Sequence, residues 1–575
     1  MTRGAETKQQ TARRFVGRSA LVLAFFVLVA TSLLARAVHL QVLNKDFLNR
    51  QADTRHLRTE KISAHRGTIT DRNGEPLAIS TPVDSIWANP KELASAIDRV
   101  PKLAQILGLD SQTLMRRITR SMDREFLYLK RHLSPKKAQA VLALKLPGVN
   151  VQREYRRYYP AGEVTGHLIG FTNIDDAGQE GLELAFNHWL AGESGLKRVL
   201  KDRLGRSVEN VESIRPARHG KELRASIDLR IQYLAYRTLK AAVQAHNAES
   251  GSIVVLDVRT GEVLAIVNQP TYNPNDRSQY SAERYRNRAI TDIFEPGSSM
   301  KPLIVAAALE SGDYRPSSIV DTTPGYVVVG AKRIEDPHNL GRISLTTILA
   351  RSSNVGVTKL AMSLQPEQLW QTMTQFGLGS LTASGFPGES AGLLTHYSHW
   401  QPISQATLAY GYGVSVTPLQ LAHAFAALGS DGRVQPISLI AIEQAGSGEQ
   451  VLAATTAIAV RRMLEEVVRP GGTGTKAAVA GYRVAGKTGT AWKFAAGGYS
   501  EDKYISIFAG LAPASNPRLA VIVVIDEPSG ELYYGSDVAA PVFANVMAES
   551  LRLLAVPPDA LPARDPGGTL QAMSR

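Results

Sequence analysis

Between Ser19 and Ala35 the sequence runs SALVLAFFVLVATSLLA without one charged side chain, and Arg3, Lys8, Arg13, Arg14 and Arg18 stand before it. A helix of about 20 such residues has the length that crosses a bilayer. Arg36 to Leu40 extend it, with the arginine reaching toward the headgroups. A basic flank belongs on the cytoplasmic side. The reading is a cytoplasmic tail over 1–18, one membrane anchor over 19–40, and more than five hundred residues beyond it. A cleaved signal peptide is the competing reading, with Ala35-Arg36-Ala37 as a small-x-small site, but such peptides carry only about 7–15 apolar residues. Arg13-Arg14-Phe15 suggests twin-arginine export only in its paired arginines, which positive-inside flanking already explains. No other segment reaches spanning length.

A chain of 575 residues is too long for one core, so two to four domains are expected. An apolar fraction of 44% with 47 glycines fits folded domains. The net charge of +13 is spread thinly, with no Lys/Arg block and no helix-turn-helix or zinc-ligand pattern, which excludes nucleic acid as the expected partner. The absence of cysteine excludes thiolate chemistry. His167 and Glu183 lack the further ligands a metal site needs, so no metal is expected. Glu180 and Glu183 read instead as ties to arginines such as Arg198 or Arg203.

Along the chain, Val38 to Leu57 continues helically as a stalk, and Asp71 to Gly74 turns between two short strands. Asn89 to Leu146 is mostly helical, with Pro90 and Ser134-Pro135 as starts. A new unit begins at Leu223, where Asp228 caps a helix to about Ala245. Gly251–Asp257 and Glu262–Val267 form a hairpin around Arg259-Thr260-Gly261. Residues 319–340 are extended and turn-rich, and Ala406 to Ala427 reads as a glycine-interrupted helix. Strand patterns at Arg483–Thr490, Ile505–Leu511 and Leu519–Asp526 precede a last helix over Pro541–Leu554. Strands at both ends with helices between them predict an α+β unit around an antiparallel sheet. Pro557 to Arg575 has the composition of a disordered tail.

Three polar clusters carry the chemistry. Pro296-Gly297-Ser298-Ser299-Met300-Lys301-Pro302 leads into Leu303-Ile304-Val305-Ala306-Ala307-Ala308-Leu309, a run that reads as a helix buried on most sides. Ser298 and Lys301, three apart, share a face. Desolvation there lowers the lysine pKa and lets a neutral amine take the hydroxyl proton. The spacing alone is not selective, since Ser134/Lys137, Ser194/Lys197 and Ser500/Lys503 also match it. The second cluster is Ser352-Ser353-Asn354, where a tight turn sends Ser352 and Asn354 into one cleft; Ser352 or Ser353 as a helix cap is the plain alternative. The third is Lys487-Thr488-Gly489-Thr490 at a strand end, a cation and two hydroxyls suited to a carboxylate. Gly481 to Thr488 also fits a phosphate-loop pattern, but its middle is strand-like and no helix follows.

Ser-x-x-Lys, Ser-x-Asn and Lys-Thr-Gly in that order resemble the penicillin-binding proteins and serine β-lactamases. The N-terminal anchor, Arg66-Gly67-x-Ile69-x-Asp71-Arg72-x-Gly74, Gly178 to Glu183 and Gly472-Thr473-Gly474-Thr475 extend the likeness to class B penicillin-binding proteins of the division type. That resemblance implies an elongated β-rich pedestal over 41–222 and, over 223–556, a transpeptidase domain whose antiparallel sheet has helices on both faces. It further implies that Ser298 attacks the D-Ala-D-Ala carbonyl of a peptidoglycan stem peptide while Lys301 accepts its proton. Ser352 and Asn354 relay protons and hold the substrate amide. Lys487, Thr488, Gly489 and Thr490 receive the terminal carboxylate, which β-lactams imitate. The backbone N–H groups of Ser298 and Thr490 form the oxyanion hole. An amine of a neighbouring stem peptide then resolves the acyl-enzyme into a crosslink, without metal or organic cofactor.

The implied partners are stem peptides and nascent glycan strands, β-lactams at Ser298, a membrane glycosyltransferase and other division proteins. The implied location is the bacterial inner membrane, with the catalytic domain in the periplasm. Alternatives are an elongation-type transpeptidase, a D,D-carboxypeptidase, and a non-catalytic β-lactam sensor or division scaffold. A class A β-lactamase would need a deacylating glutamate that Glu367, Glu389 and Glu443 do not match.

Overall fold

The computed structural model describes residues 5–43, 57–62, 64–201, 207–276, 278, 281–495 and 498–560. Most of the expected stalk, Arg203, and the expected tail beyond 560 lie outside these residues. The chain forms two compact units, and they do not follow chain order. One contains 1–64, 83–154 and 193–219; the other contains 65–82, 155–192 and everything from 220 onward.

In the first unit, a helix spans Ala5–Val38 and ends in a π-helical turn, His39–Leu43. It is the one helix among the described residues long and apolar enough to cross a membrane. A three-stranded antiparallel sheet joins Leu57–Ile62, Gly195–Lys201 and Ser207–Arg215. A separate small core packs Ile86, Leu103, Leu107, Leu114, Ile118 and Leu129. The helix Pro135–Leu142 begins where proline at its first turn predicts, but Ser134 makes no side-chain cap bond. Of Ser194/Lys197, Lys197 lies in the strand Gly195–Lys201 and Ser194 stands just before it.

The second unit holds the three motif clusters. Helix α1 (Leu229–Ala245) starts under Asp228, whose carboxylate accepts from the Arg230 N–H. Asp71 also accepts from the Leu229 N–H, at 3.0 Å, so the early Arg66–Gly74 segment is woven into this unit. Strands β1 (Ser250–Asp257) and β2 (Val263–Gln269) make the expected hairpin. A 3-10 turn over Gly297–Met300 leads into α2 (Lys301–Glu310), of which Lys301 to Ala308 are all buried. A small hairpin, β3 (Tyr326–Val329) with β4 (Lys332–Glu335), precedes α3 (Leu345–Arg351) and α4 (Asn354–Ser363). Then come α5 (Pro418–Gly429), α6 (Ala454–Val468), β5 (Ala485–Ala495), β6 (Gly498–Ala512), β7 (Leu519–Asp526) and α7 (Ala539–Leu553).

The five long strands form one antiparallel sheet in the order β2-β1-β7-β6-β5, so early and late segments meet at its centre. Alternation along β1 splits the core. Ile253 and Val255 pack with α1 and α7 residues such as Leu239 and Phe543, whereas Val254 and Leu256 pack with Phe425, Leu421 and the α2 run. The sheet thus has helices on both faces, and β5, at its edge, carries the Lys487 cluster. The glycine interruption expected within 406–427 separates two helices, Pro402–Leu408 and α5. A helix over Pro402–Leu408 ends before a turn in which Gly411 (φ 85°) lies so close to Gly297 that a Cβ would stand 2.1 Å from its carbonyl oxygen.

Buried charge ties the early segments into this unit. Glu183 pairs with Arg66 at 2.6 Å and with Arg157 at 2.6 Å; of the arginines the sequence suggested, Arg198 lies in the strand Gly195–Lys201 and Arg203 lies outside the described residues. Arg66 also donates to the Asn187 side chain and to the Asp176 and Glu183 carbonyls.

Candidate active site

The 3-10 turn sets Ser298 at a cavity of about 290 Å3, and the Lys301 N–H donates to the Ser298 carbonyl as α2 begins. Because α2 is buried all round, its first side chain enters the interior: Lys301 is fully buried. Its Nζ donates to three oxygens, the Ser352 carbonyl (2.5 Å), Ser352 Oγ (3.0 Å) and Asn354 Oδ1 (2.7 Å).

Those three oxygens come from a joint between two helices. Ser352 ends α3 in the left-handed region (φ 57°), which turns its side chain off the helix; Ser353 caps α4, accepting from the Gly356 N–H at 2.8 Å. Of the two serines weighed as caps, the cap is Ser353, and this leaves the Ser352 hydroxyl free for the cleft. The joint is clamped by Asp336, which the sequence reading missed. Its carboxylate accepts from Ser353 Oγ (2.5 Å) and from the N–H groups of Asn354 (2.5 Å) and Val355 (3.1 Å), an anion at the positive end of α4.

From the sheet edge, fully buried Lys487 donates to the same Ser352 Oγ at 3.0 Å and to the Thr488 carbonyl and hydroxyl. Thr488 donates to Thr473 Oγ1 (3.1 Å), and the Thr473 N–H reaches the Ala350 carbonyl at the end of α3 (3.2 Å). Gly489 lets the strand pass the nucleophile turn, since a Cβ there would stand 3.0 Å from the Pro296 carbonyl oxygen. Thr490 lines the cavity with Ser298 and Asn354, and its Oγ1 accepts from the Gly535 N–H at 3.0 Å. Apart from Ala491 the remaining wall is aromatic: Tyr410, Tyr412, Trp492, Tyr504, Tyr533 and Tyr534. Tyr504 and Tyr533 stack with centroids 4.0 Å apart. No periodic pattern in the sequence marks this wall.

Two amines on one hydroxyl repel by about 3 kcal/mol if both are charged at an effective dielectric near 20. Burial, and then the neighbouring Lys487, hold Lys301 well below the usual lysine range, with Asp336 opposing them. Burial brings Lys487 down to about 7. The arrangement can therefore keep one amine neutral, as a base, and the other cationic near neutral pH. The described residues contain no group of three or more His, Asp or Glu that could hold a metal ion.

Known proteins match this chain over nearly its whole length. The family "Penicillin binding protein transpeptidase domain" matches residues 251–548, and "Penicillin-binding Protein dimerisation domain" matches 61–225. The peptidoglycan D,D-transpeptidase FtsI of Escherichia coli is 45% identical over 97% of this chain and 95% of its own. The transpeptidase domain of penicillin-binding protein 3 from Burkholderia pseudomallei is 43% identical with a TM-score of 0.55, covering 59% of this chain and 98% of that one. A peptidoglycan synthetase from Bifidobacterium adolescentis, 26% identical, has a TM-score of 0.70 over 88% of this chain and 98% of its own. With a pedestal and a catalytic sheet matched in this order, the chain belongs to the penicillin-binding protein transpeptidases.

Proposed function

We propose that this protein is a peptidoglycan D,D-transpeptidase of the division type, which crosslinks stem peptides through an acyl-enzyme on Ser298. The observation that carries it is the buried Lys301 amine, one turn after Ser298 and held by Ser352 and Asn354, with Lys487 on the same Ser352 hydroxyl. Neutral Lys301 takes the Ser298 proton as Oγ attacks the D-Ala-D-Ala carbonyl. The backbone N–H groups of Ser298 and Thr490 receive the oxyanion. Ser352 passes the proton on to the departing D-Ala nitrogen, and Asn354 holds the substrate amide. Cationic Lys487, with Thr488, Gly489 and Thr490, binds the terminal carboxylate. β-Lactams enter by the same route and stay on Ser298.

The family matches support a pedestal over 41–222 and a transpeptidase domain over 223–556. The apolar N-terminal helix supports a single-pass inner-membrane anchor with a cytoplasmic tail at 1–18 and the catalytic unit in the periplasm. A membrane glycosyltransferase and other division proteins are the partners that this topology suits.

Labelling with fluorescent penicillin tests the nucleophile: wild type is expected to label and Ser298→Ala to be silent, and persistent labelling of the variant would overturn the assignment. Crosslinking of lipid-linked precursor with a partner polymerase present tests the reaction. Depletion separates the cellular roles, with filaments expected and round cells pointing to elongation instead.

A further inference from the structure

Asn354 is a wall shared by two cavities. One is the catalytic cavity; the other, of about 500 Å3, is bordered by Tyr326, Arg333, Glu335, Pro337, His338 and Asn339 among others. The Asn354 amide spans the wall. Its oxygen receives Lys301, and its nitrogen makes a long 3.5 Å contact to the Glu335 carbonyl. Tyr326 and Glu335 face each other across the β3–β4 hairpin. The Arg333 guanidinium lies 4.1 Å over the Tyr326 ring and 3.0 Å from the Glu335 carboxylate. An ion pair so exposed adds little to stability. None of the aromatic wall of the catalytic cavity borders this second one.

We infer that the second cavity binds the acyl acceptor, the peptide strand whose primary amine resolves the Ser298 ester. The inference rests on the transpeptidase reading. In the resolving step the amine nitrogen bonds to the acyl carbon, and the bond from that carbon to Ser298 Oγ breaks. One amine proton passes through Ser352 and Lys301 to Ser298, so the step needs no further reactant. Its reverse places the incoming nitrogen where the D-Ala nitrogen left, beside the Ser352 hydroxyl. A peptide reaching that point past Asn354 lies along the second cavity. Its amine arrives as an ammonium, which Glu335 attracts and which gives one proton to solvent before the neutral amine attacks, and its carboxylates meet Arg333.

The test uses the full chain in detergent and a thioester stem-peptide mimic as acyl donor. Water, D-alanine, or a stem tripeptide with a free side-chain amine then resolves the ester. D-alanine needs only the leaving-group position, whereas the tripeptide needs the groove. In Glu335→Gln, and in the double variant Arg333→Ala with Glu335→Ala, penicillin labelling, thioester hydrolysis and transfer to D-alanine are expected within about twofold of wild type. Transfer to the tripeptide, read as product ratio against hydrolysis, is expected to fall about tenfold. An unchanged ratio in both variants overturns the inference, as does a parallel fall in penicillin labelling, which would mark the hairpin as purely structural. A wild type that hydrolyses the thioester but never transfers to the tripeptide also overturns it. A wild type that is not acylated at all sinks the transpeptidase reading first.

Discussion

Arg66 and Arg157 are buried almost as deeply as Lys301 and Lys487, yet the two pairs live in different company. Between the arginines sits Glu183, with one carboxylate oxygen for each. Between the lysines sits the neutral hydroxyl of Ser352. Guanidinium groups cannot give up their protons, so burying two of them requires an anion. Amines can, and without a carboxylate in direct contact burial displaces their titration instead. The arginine cluster is thus fixed in charge and serves as a joint, while the lysine cluster is variable in charge and suits proton transfer. Compensation, more than depth, separates the two.

The sharpest way to break this contrast is to remove one charged group from each region. Lys301→Met is expected to slow penicillin acylation by about 10³–10⁴-fold, since base and proton path go together. Its thermal midpoint should not fall, because no anion is stranded. Glu183→Gln strands two arginines and should cost about 3–5 kcal/mol of stability in denaturant unfolding, with acylation by the folded fraction near wild type. If the lysine variant unfolds and the glutamate variant does not, the contrast is wrong.

Asp176 sharpens the same comparison. Burial raises its carboxyl to about 6 despite Arg66 and Arg157, and one of its oxygens has no hydrogen-bond partner. A raised folded-state pKa means that the folded protein holds this proton where the unfolded chain has lost it. Stability from this group is therefore full below about pH 4 and lost as pH rises through about 6. Asp176→Asn suits the left-handed backbone there (φ 64°) and should add about 1–3 kcal/mol at pH 7, flattening that decline in a pH series of melts.

Two smaller effects concern the site. Asp336→Asn weakens the clamp on the Ser352–Asn354 joint and should reduce acylation about tenfold while costing about 1 kcal/mol of stability. Lys487 carries its charge only below about pH 7 in the free enzyme, so kcat/KM for penicillin acylation should decline above that pH. An acyl donor lacking the carboxylate should show no such limb.

What the sequence disclosed and what it hid have physical reasons. The hairpin of β1 and β2, the late strands and the buried α2 were legible because each is a local pattern of period or composition. Ser298, Ser352 and Lys487 were legible only by their order along the chain, since four Ser-x-x-Lys matches were locally equivalent. Asp336 escaped because its partners lie 17 to 19 residues downstream, and nothing local marks an acid before Pro337 as a helix clamp. Glu183 was rightly seen as an arginine tie, but its partner Arg66, 117 residues away, is set by tertiary packing. The aromatic wall escaped for the same reason: Tyr410, Trp492 and Tyr533 come from three separate turns and strands.

The three contacts of Lys301 also fix how it must rearrange. An ammonium has three N–H bonds, and three oxygens accept them, so every valence is filled in the charged state. A neutral amine has two N–H bonds and a lone pair. The Ser352 carbonyl and the Asn354 oxygen have no hydrogen to offer that lone pair, whereas the Ser352 hydroxyl has one. Losing the proton therefore reverses one bond, the hydroxyl becoming donor to Lys301 while still accepting from Lys487. Apart from the proton lost, neutral and charged states of the site differ by the swing of a single hydrogen, with the heavy atoms left where they are.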